Sequence, residues 1–258
     1  EATFKMVEEN KNGVFLQPSE KTKSFFAKML KERDLDTVSI KLVAGVLVGT
    51  FEDYAAFSFD NGSYGITMPR AAMTKLNELL EKDVLTKEEQ QEFYEIEFFL
   101  GHEMHHIKRA VVKCKSSILH TTYTQLFVRS CISVASWALL RKAGVEAWWK
   151  ALAGVMCVST ATENAVKVFR SSEESVCDLN ASTNPEVLKA GAKAIKEHLK
   201  DDTEKAAKGC CFGLVWKYSQ ETAYVLGTHH PSPEKRSKAL LKKAQELEVK
   251  HYYVAAGA

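Results

Sequence analysis

Two periodicities divide the chain. From Ser19 to Arg33 apolar residues recur at helical spacing in SEKTKSFFAKMLKER, and Ser19 stands where a serine caps a first turn. Past residue 36 the period shortens. Val38, Ile40 and Leu42 alternate with Ser39 and Lys41, a half-buried strand pattern that VAGVLVGTF continues. YAAFSFD and SYGITMP then flank Asn61-Gly62, the dipeptide that favours a two-residue type I′ hairpin because both turn positions need positive φ. The pattern predicts strands near 38–48, 53–60 and 63–68. From Arg70 onward helical spacing dominates. Thr86-Lys-Glu-Glu89 is a capping box, and it opens a helix running through Phe93, Ile96, Phe99 and Leu100 into His102. Further helices are predicted near 120–140, 145–170, 171–182, 185–200 and 203–226. Ser232, with Pro233 at the first helical position, opens the last.

The reading is α+β: a mostly helical chain with a small antiparallel β-sheet. It is a single domain over 1–258, with 1–36 as an N-terminal helical extension and 37–245 as the core. No internal repeat or low-complexity tract interrupts it. Composition agrees. Hydrophobic residues are 45% and charged residues 26% of 258, enough apolar material for a sizeable core without staples.

Charge and cysteines narrow the function classes. Thirty-five Lys and Arg stand against 33 Asp and Glu, a net +2 that lacks the strong basic excess of a nucleic-acid binder. Six cysteines include no CxxC pair, and Cys210 and Cys211 are adjacent, so free thiols in a reducing compartment are expected. That means the cytoplasm or another reducing compartment; the alternative is secretion followed by action inside another cell. The opening EATFKMVEENKNGVF is charged and has no apolar core of a signal peptide, and a first residue of Glu fits a trimmed chain. The charge-free stretches Ser116–Val128, Ser130–Leu140 and Ala151–Thr162 fall short of the roughly 18 residues of a spanning helix. They are expected to be buried core helices. Trp137, Trp148 and Trp149 would suit a headgroup layer, which leaves peripheral membrane contact as the other reading.

The strongest chemical signal is GHEMHH, residues 101–106, which contains HExxH: His102, Glu103 and His106. Positions i and i+4 share a helix face roughly 5–6 Å apart, so two imidazoles there can both reach a Zn²⁺ at about 2.0–2.1 Å. Glu103 then stands beside the metal, placed to take a proton from a metal-activated water and give it to a leaving amine. A zinc site needs a third protein ligand. Glu174 and Asp178, also i and i+4, lie downstream in RSSEESVCD and offer a carboxylate ligand and a second carboxylate that orients a histidine. Taken alone, that segment also reads as the acidic first turn of a helix. Cys177 between them reads as a small buried residue.

In order and spacing these motifs resemble the zinc metallopeptidase family of the CAAX prenyl proteases and the HtpX-like heat-shock proteases. GHEMHH is similar to the family's HExxH helix. The segment from Glu174 to Asp178, about 68 residues past His106, looks like its ExxxD motif. Thr228-His229-His230-Pro231, followed by Arg236, is similar to its late His-Pro segment. YAAFSFDNGSYGITMP resembles its strand pair before the active-site helix. The resemblance spans about residues 37–245. It implies a gluzincin-type fold, Zn²⁺ as cofactor, His102, His106 and Glu174 as ligands, and Glu103 as general base. It further implies Asp178 as the residue orienting a ligand histidine, His230 as an oxyanion donor, and Arg236 as a brace for its loop or an acidic partner.

The chain departs from the family at His105, where a glycine is usual, and at Tyr54-Ala55-Ala56, where an asparagine is frequent. His105 would narrow the cleft or offer a decoy ligand. Many relatives also place membrane spans between HExxH and ExxxD, where this chain has only short apolar runs. The function expected is a soluble zinc-dependent endopeptidase acting on a protein or peptide substrate that lies extended along the sheet edge. The alternative is a catalytically silent peptide-binding or protein-binding module on the same scaffold.

Overall fold

The computed structural model describes residues 16–44, 54–59, 61–113, 122–142, 144, 148–198 and 231–255. They group into two compact bodies. The first holds the described residues of Glu1–Val111, Val176–Leu199 and Pro233–Ala258; the second holds those of Val112–Ser175 and Lys200–Ser232. The predicted helix at 203–226 and the far part of the first predicted strand lie outside the described residues.

The first body begins with α1 (Glu20–Glu32). Ser19 caps it, its hydroxyl accepting from Thr22 N at 3.1 Å. Three strands follow: β1 (Ile40–Ala44), β2 (Ala55–Ser58) and β3 (Tyr64–Met68). Their order is β1-β3-β2. β2 pairs antiparallel with β3, but β1 pairs parallel with it, so the sheet is mixed rather than antiparallel. The cause lies in burial. Ile66 and Met68 of β3 are fully buried, and β3 takes the centre with a neighbour on each edge.

The turn into β3 also differs from the two-residue type I′ expectation. Phe59 pairs with Ser63, leaving a three-residue loop closed by Gly62 N donating to Phe59 O at 3.0 Å. Gly62 has φ +79°, the left-handed region that a Cβ disfavours, while Asn61 does not. Asn61 instead spends its side-chain oxygen accepting from Ser63 N and Oγ, at 3.1 and 2.6 Å.

α2 (Arg70–Glu81) and α3 (Lys87–Lys113) come next. The capping box forms as its sequence requires. Thr86 N donates to Glu89 Oε2 at 3.0 Å and Glu89 N to Thr86 Oγ1 at 3.2 Å. α3 is the axis of this body. Ile96, Leu100, Met104 and Ile107 face a core built with Phe26, Leu30, Leu42, Ile66, Met68 and Met73. Phe98 faces a second core of Ala181, Leu188, Ala192, Ile195, Leu240 and Ala244. The second core is supplied by α6 (Pro185–His198) and α7 (Pro233–Ala255), both opening with proline at the first helical position. Asn184 caps α6, accepting from Glu186 N at 3.0 Å.

The second body contains α4 (Thr122–Lys142) and most of α5 (Trp148–Leu179). α5 is one unbroken helix where a break near residue 170 was expected. Ser171-Ser172-Glu173-Glu174 has the composition of a helix start, yet no glycine or proline precedes it to end the turn before. Ser175 Oγ instead donates to Ser171 O at 3.1 Å, the back-bonding of a serine inside a helix. Nor are the apolar stretches of this body uniformly buried. Val134, Leu139 and Met156 are 68%, 67% and 63% exposed.

Candidate metal centre

His102 and His106 lie one turn apart on α3, and their Nε2 atoms are 3.0 Å from each other. Two nitrogens bound at about 2.0–2.1 Å to one tetrahedral Zn²⁺ would stand roughly 3.3 Å apart, so the pair already has nearly the spacing of ligands to one ion. Glu174, one turn before Asp178 on α5, completes a set whose ligand atoms all lie within 4.8 Å of one another. Among the described residues this is the one His, Cys, Asp and Glu group with that convergence. The donor set, two imidazoles and a carboxylate, fits the borderline-soft preference of Zn²⁺ and the three-ligand pattern of open sites.

The far side of each imidazole sets its orientation. His102 Nδ1 lies 2.9 Å from Asp178 Oδ1. Asp178 in turn accepts from Arg236 twice, Nε to Oδ2 and Nη2 to Oδ1, both at 2.7 Å. Burial pushes the Asp178 carboxyl up, but the His102 contact and the Arg236 bonds outweigh it and hold the group below its ordinary value. An ionised carboxylate only accepts, so it favours the tautomer with hydrogen on Nδ1 and the lone pair on Nε2. His106 Nδ1 faces a softer neighbour, Cys177 Sγ at 3.4 Å. The cysteine is fully buried.

Glu103 is buried beside the histidines, Oε1 standing 4.0 Å from His102 Nε2. Its other oxygen, Oε2, accepts from the backbone N–H of Ala56 at 2.7 Å. β2 is an outer strand of the sheet, and this amide points away from the ladder toward α3. Tyr54 stacks on Phe99 with ring centroids 4.9 Å apart and fixes the same strand against the same helix.

Gly101, just before the first histidine, is required by a close approach. A Cβ there would stand 2.0 Å from Ala181 O and 2.7 Å from Arg33 Nη2. Arg33 Nη2 donates to that carbonyl, and Nη1 donates to Met29 O at 3.1 Å. The turn after α5 is thereby pressed onto α3 beside His102, which brings Asp178 within reach of the ring.

Of the residues singled out from the sequence, His102, His106 and Glu174 converge, Glu103 adjoins them, and Asp178 and Arg236 form the brace behind His102. His105 is not in the converging set; burial, with Arg109 and Lys108 adding to it, pushes its pKa down to about 4. His230 lies outside the described residues. Pattern reading missed the Ala56 amide and the Arg33–Ala181 clamp, since backbone groups carry no residue signature. Cys177 was legible as buried but not as the neighbour of His106. Comparison of the chain with protein-family models, with curated proteins and with solved structures finds no match.

Proposed function

We propose that this protein is a zinc-dependent endopeptidase. The observation that carries the reading is the convergence of His102, His106 and Glu174 with the Glu103 carboxylate beside them. The ordered HExxH and ExxxD motifs, and the family they resemble, support it from the sequence side. Zinc held by these three residues would supply Lewis acidity, polarising a peptide carbonyl and making a water acidic enough to attack near neutral pH.

The protein's own residues do the rest. Glu103 takes the proton of the attacking water and delivers it to the leaving amine. The Ala56 amide holds that carboxylate in place. Asp178, fixed by Arg236, keeps the lone pair of His102 turned inward. The substrate lies extended along β2, whose outer edge offers main-chain groups beside Glu103.

The deciding measurement is zinc per chain in purified protein, beside a Glu174→Ala variant prepared identically. About one zinc in the wild type, with a clear loss in the variant, is the expected result. Glu103→Gln then keeps its zinc and loses cleavage of unfolded protein substrates. A folded wild type that takes up no divalent metal after loading overturns the proposal, and so does a Glu103→Gln variant that cleaves normally.

A further inference from the structure

The two histidines of the candidate centre are not held alike. Each turns its Nε2 toward the other, the two atoms being 3.0 Å apart. An imidazole that gives its Nε2 lone pair to a metal carries its hydrogen on Nδ1, and that hydrogen needs an acceptor. Behind His102 the acceptor is Asp178 Oδ1 at 2.9 Å. Behind His106 stands Cys177 Sγ, 3.4 Å from Nδ1. Cys177 is fully buried, and the contact joins residues 71 positions apart, so the fold builds it rather than chain proximity. Glu174, Cys177 and Asp178 stand at i, i+3 and i+4 of α5 and share one face of that helix. The first belongs to the converging set, and each of the other two backs one ring.

Charge favours sulfur at this position. Glu103, Glu174 and Asp178 already bring carboxylates to the centre. Another at position 177 would be buried next to Asp178, and like charges at a shared site disfavour ionisation. A thiol accepts through sulfur without adding a charge. Size favours it too. The 3.4 Å separation suits the larger sulfur atom but exceeds the roughly 2.7–3.2 Å of an N–H···O bond. A serine hydroxyl, shorter than a thiol, would stand farther away still.

We propose that Cys177 is the positioning residue of His106, its sulfur accepting the Nδ1 hydrogen while Nε2 faces the metal. The inference rests on the zinc reading of this centre and adds a residue that HExxH and ExxxD leave unspecified.

The test is the zinc affinity of the full chain, measured by competition with a chromophoric chelator under reducing conditions, for wild type, Cys177→Ala and Cys177→Ser. Cys131 and Cys157 are exposed thiols, so zinc that a Glu174→Ala variant still holds is counted as background. Both cysteine variants are expected to bind zinc about tenfold more weakly or worse, the cost of losing the partner behind a ligand histidine. Serine is expected to fare no better than alanine. Thermal melts in excess chelator report folding apart from the metal. A residue that only fills space would lower those melts and leave zinc affinity unchanged, and that result overturns the proposal. So does a serine variant that binds zinc like wild type. Should neither variant fold, a long-range proton–nitrogen NMR spectrum of zinc-loaded wild type with labelled histidine decides. The Nδ1 hydrogen of His106 should be present and slow to exchange with water; its absence or fast exchange overturns the proposal. Wild type that binds zinc yet cleaves nothing ends the peptidase reading and leaves this one standing. Undiminished zinc affinity in both variants, with cleavage by wild type, ends this one alone. A folded wild type without zinc ends both.

Discussion

Arg236 and Asp178 are joined by two buried hydrogen bonds of 2.7 Å across 58 residues of sequence, and the same carboxylate reaches His102 at 2.9 Å. Neither side chain is more than 8% exposed. This pair ties the end of α5 to α7 and holds the ring of a candidate ligand. Removing one partner of a buried pair leaves the other without compensation. Arg236→Gln is therefore expected to cost about 3–5 kcal/mol in urea unfolding. Arg236→Lys should recover only part of that, because an ammonium cannot reproduce the two-pronged contact. A loss below about 1 kcal/mol for the glutamine variant, the range of an exposed pair, would show that it does not brace the centre.

Gly101 is expected to tolerate no side chain. The atom that a Cβ would meet first is a backbone oxygen, Ala181 O at 2.0 Å, so relief requires α3 and the turn after α5 to separate. Gly101→Ala should destabilise by about 1–3 kcal/mol or more, despite alanine's better helix propensity. It should also weaken zinc uptake, since Asp178 sits three residues before Ala181. A thermal melt at or above the wild-type midpoint would mean that the two backbones are not in contact.

Glu97, five residues before His102 on α3, gives a pH prediction away from the ligands. Burial raises its carboxyl pKa, Arg33 pulls it down in part, and Glu32 pushes it up. A carboxyl raised in the folded state binds its proton more tightly there than in the unfolded chain. Its contribution is fully present below the unfolded value of about 4.3 and is lost as pH rises through the higher folded value. Glu97→Gln removes this titration. In paired thermal melts at acidic and neutral pH, wild type should lose ground to the glutamine variant at neutral pH. A drift in the opposite direction would refute the assignment.

The legible parts of this protein are those whose signal is local. Ser19 and the Thr86–Glu89 pair announce α1 and α3 because a cap is a contact between residues three apart. HExxH, and Glu174 with Asp178, are legible for the same reason, since i and i+4 share a helix face. The pairing of β1 with β3 rather than β2 is not local. It depends on which strand is most deeply buried, and alternation alone does not say. The Gly62 loop escaped because Asn61 serves as a side-chain acceptor, a role the dipeptide does not distinguish from left-handed backbone. The unbroken α5 escaped because serines and glutamates that suit a helix start also fit inside one.

The Ala56 amide yields the sharpest prediction about chemistry. It is the backbone donor seen on Glu103 Oε2, at 2.7 Å, and it sits on an outer strand with its N–H turned away from β3. Proline at this position removes that donor and no ladder bond, and strand edges are where proline is tolerated. If the amide holds the base in line for proton transfer, Ala56→Pro should keep its zinc and its melting midpoint yet lose activity by about one to two orders of magnitude, the range for a misplaced general base. The loss should fall on kcat at saturating substrate, because the carboxylate acts on the attacking water. A rise in KM with kcat unchanged would instead assign Ala56 to substrate pairing along the β2 edge. A variant that has lost its zinc would place the amide's role in building the centre rather than in aiming Glu103.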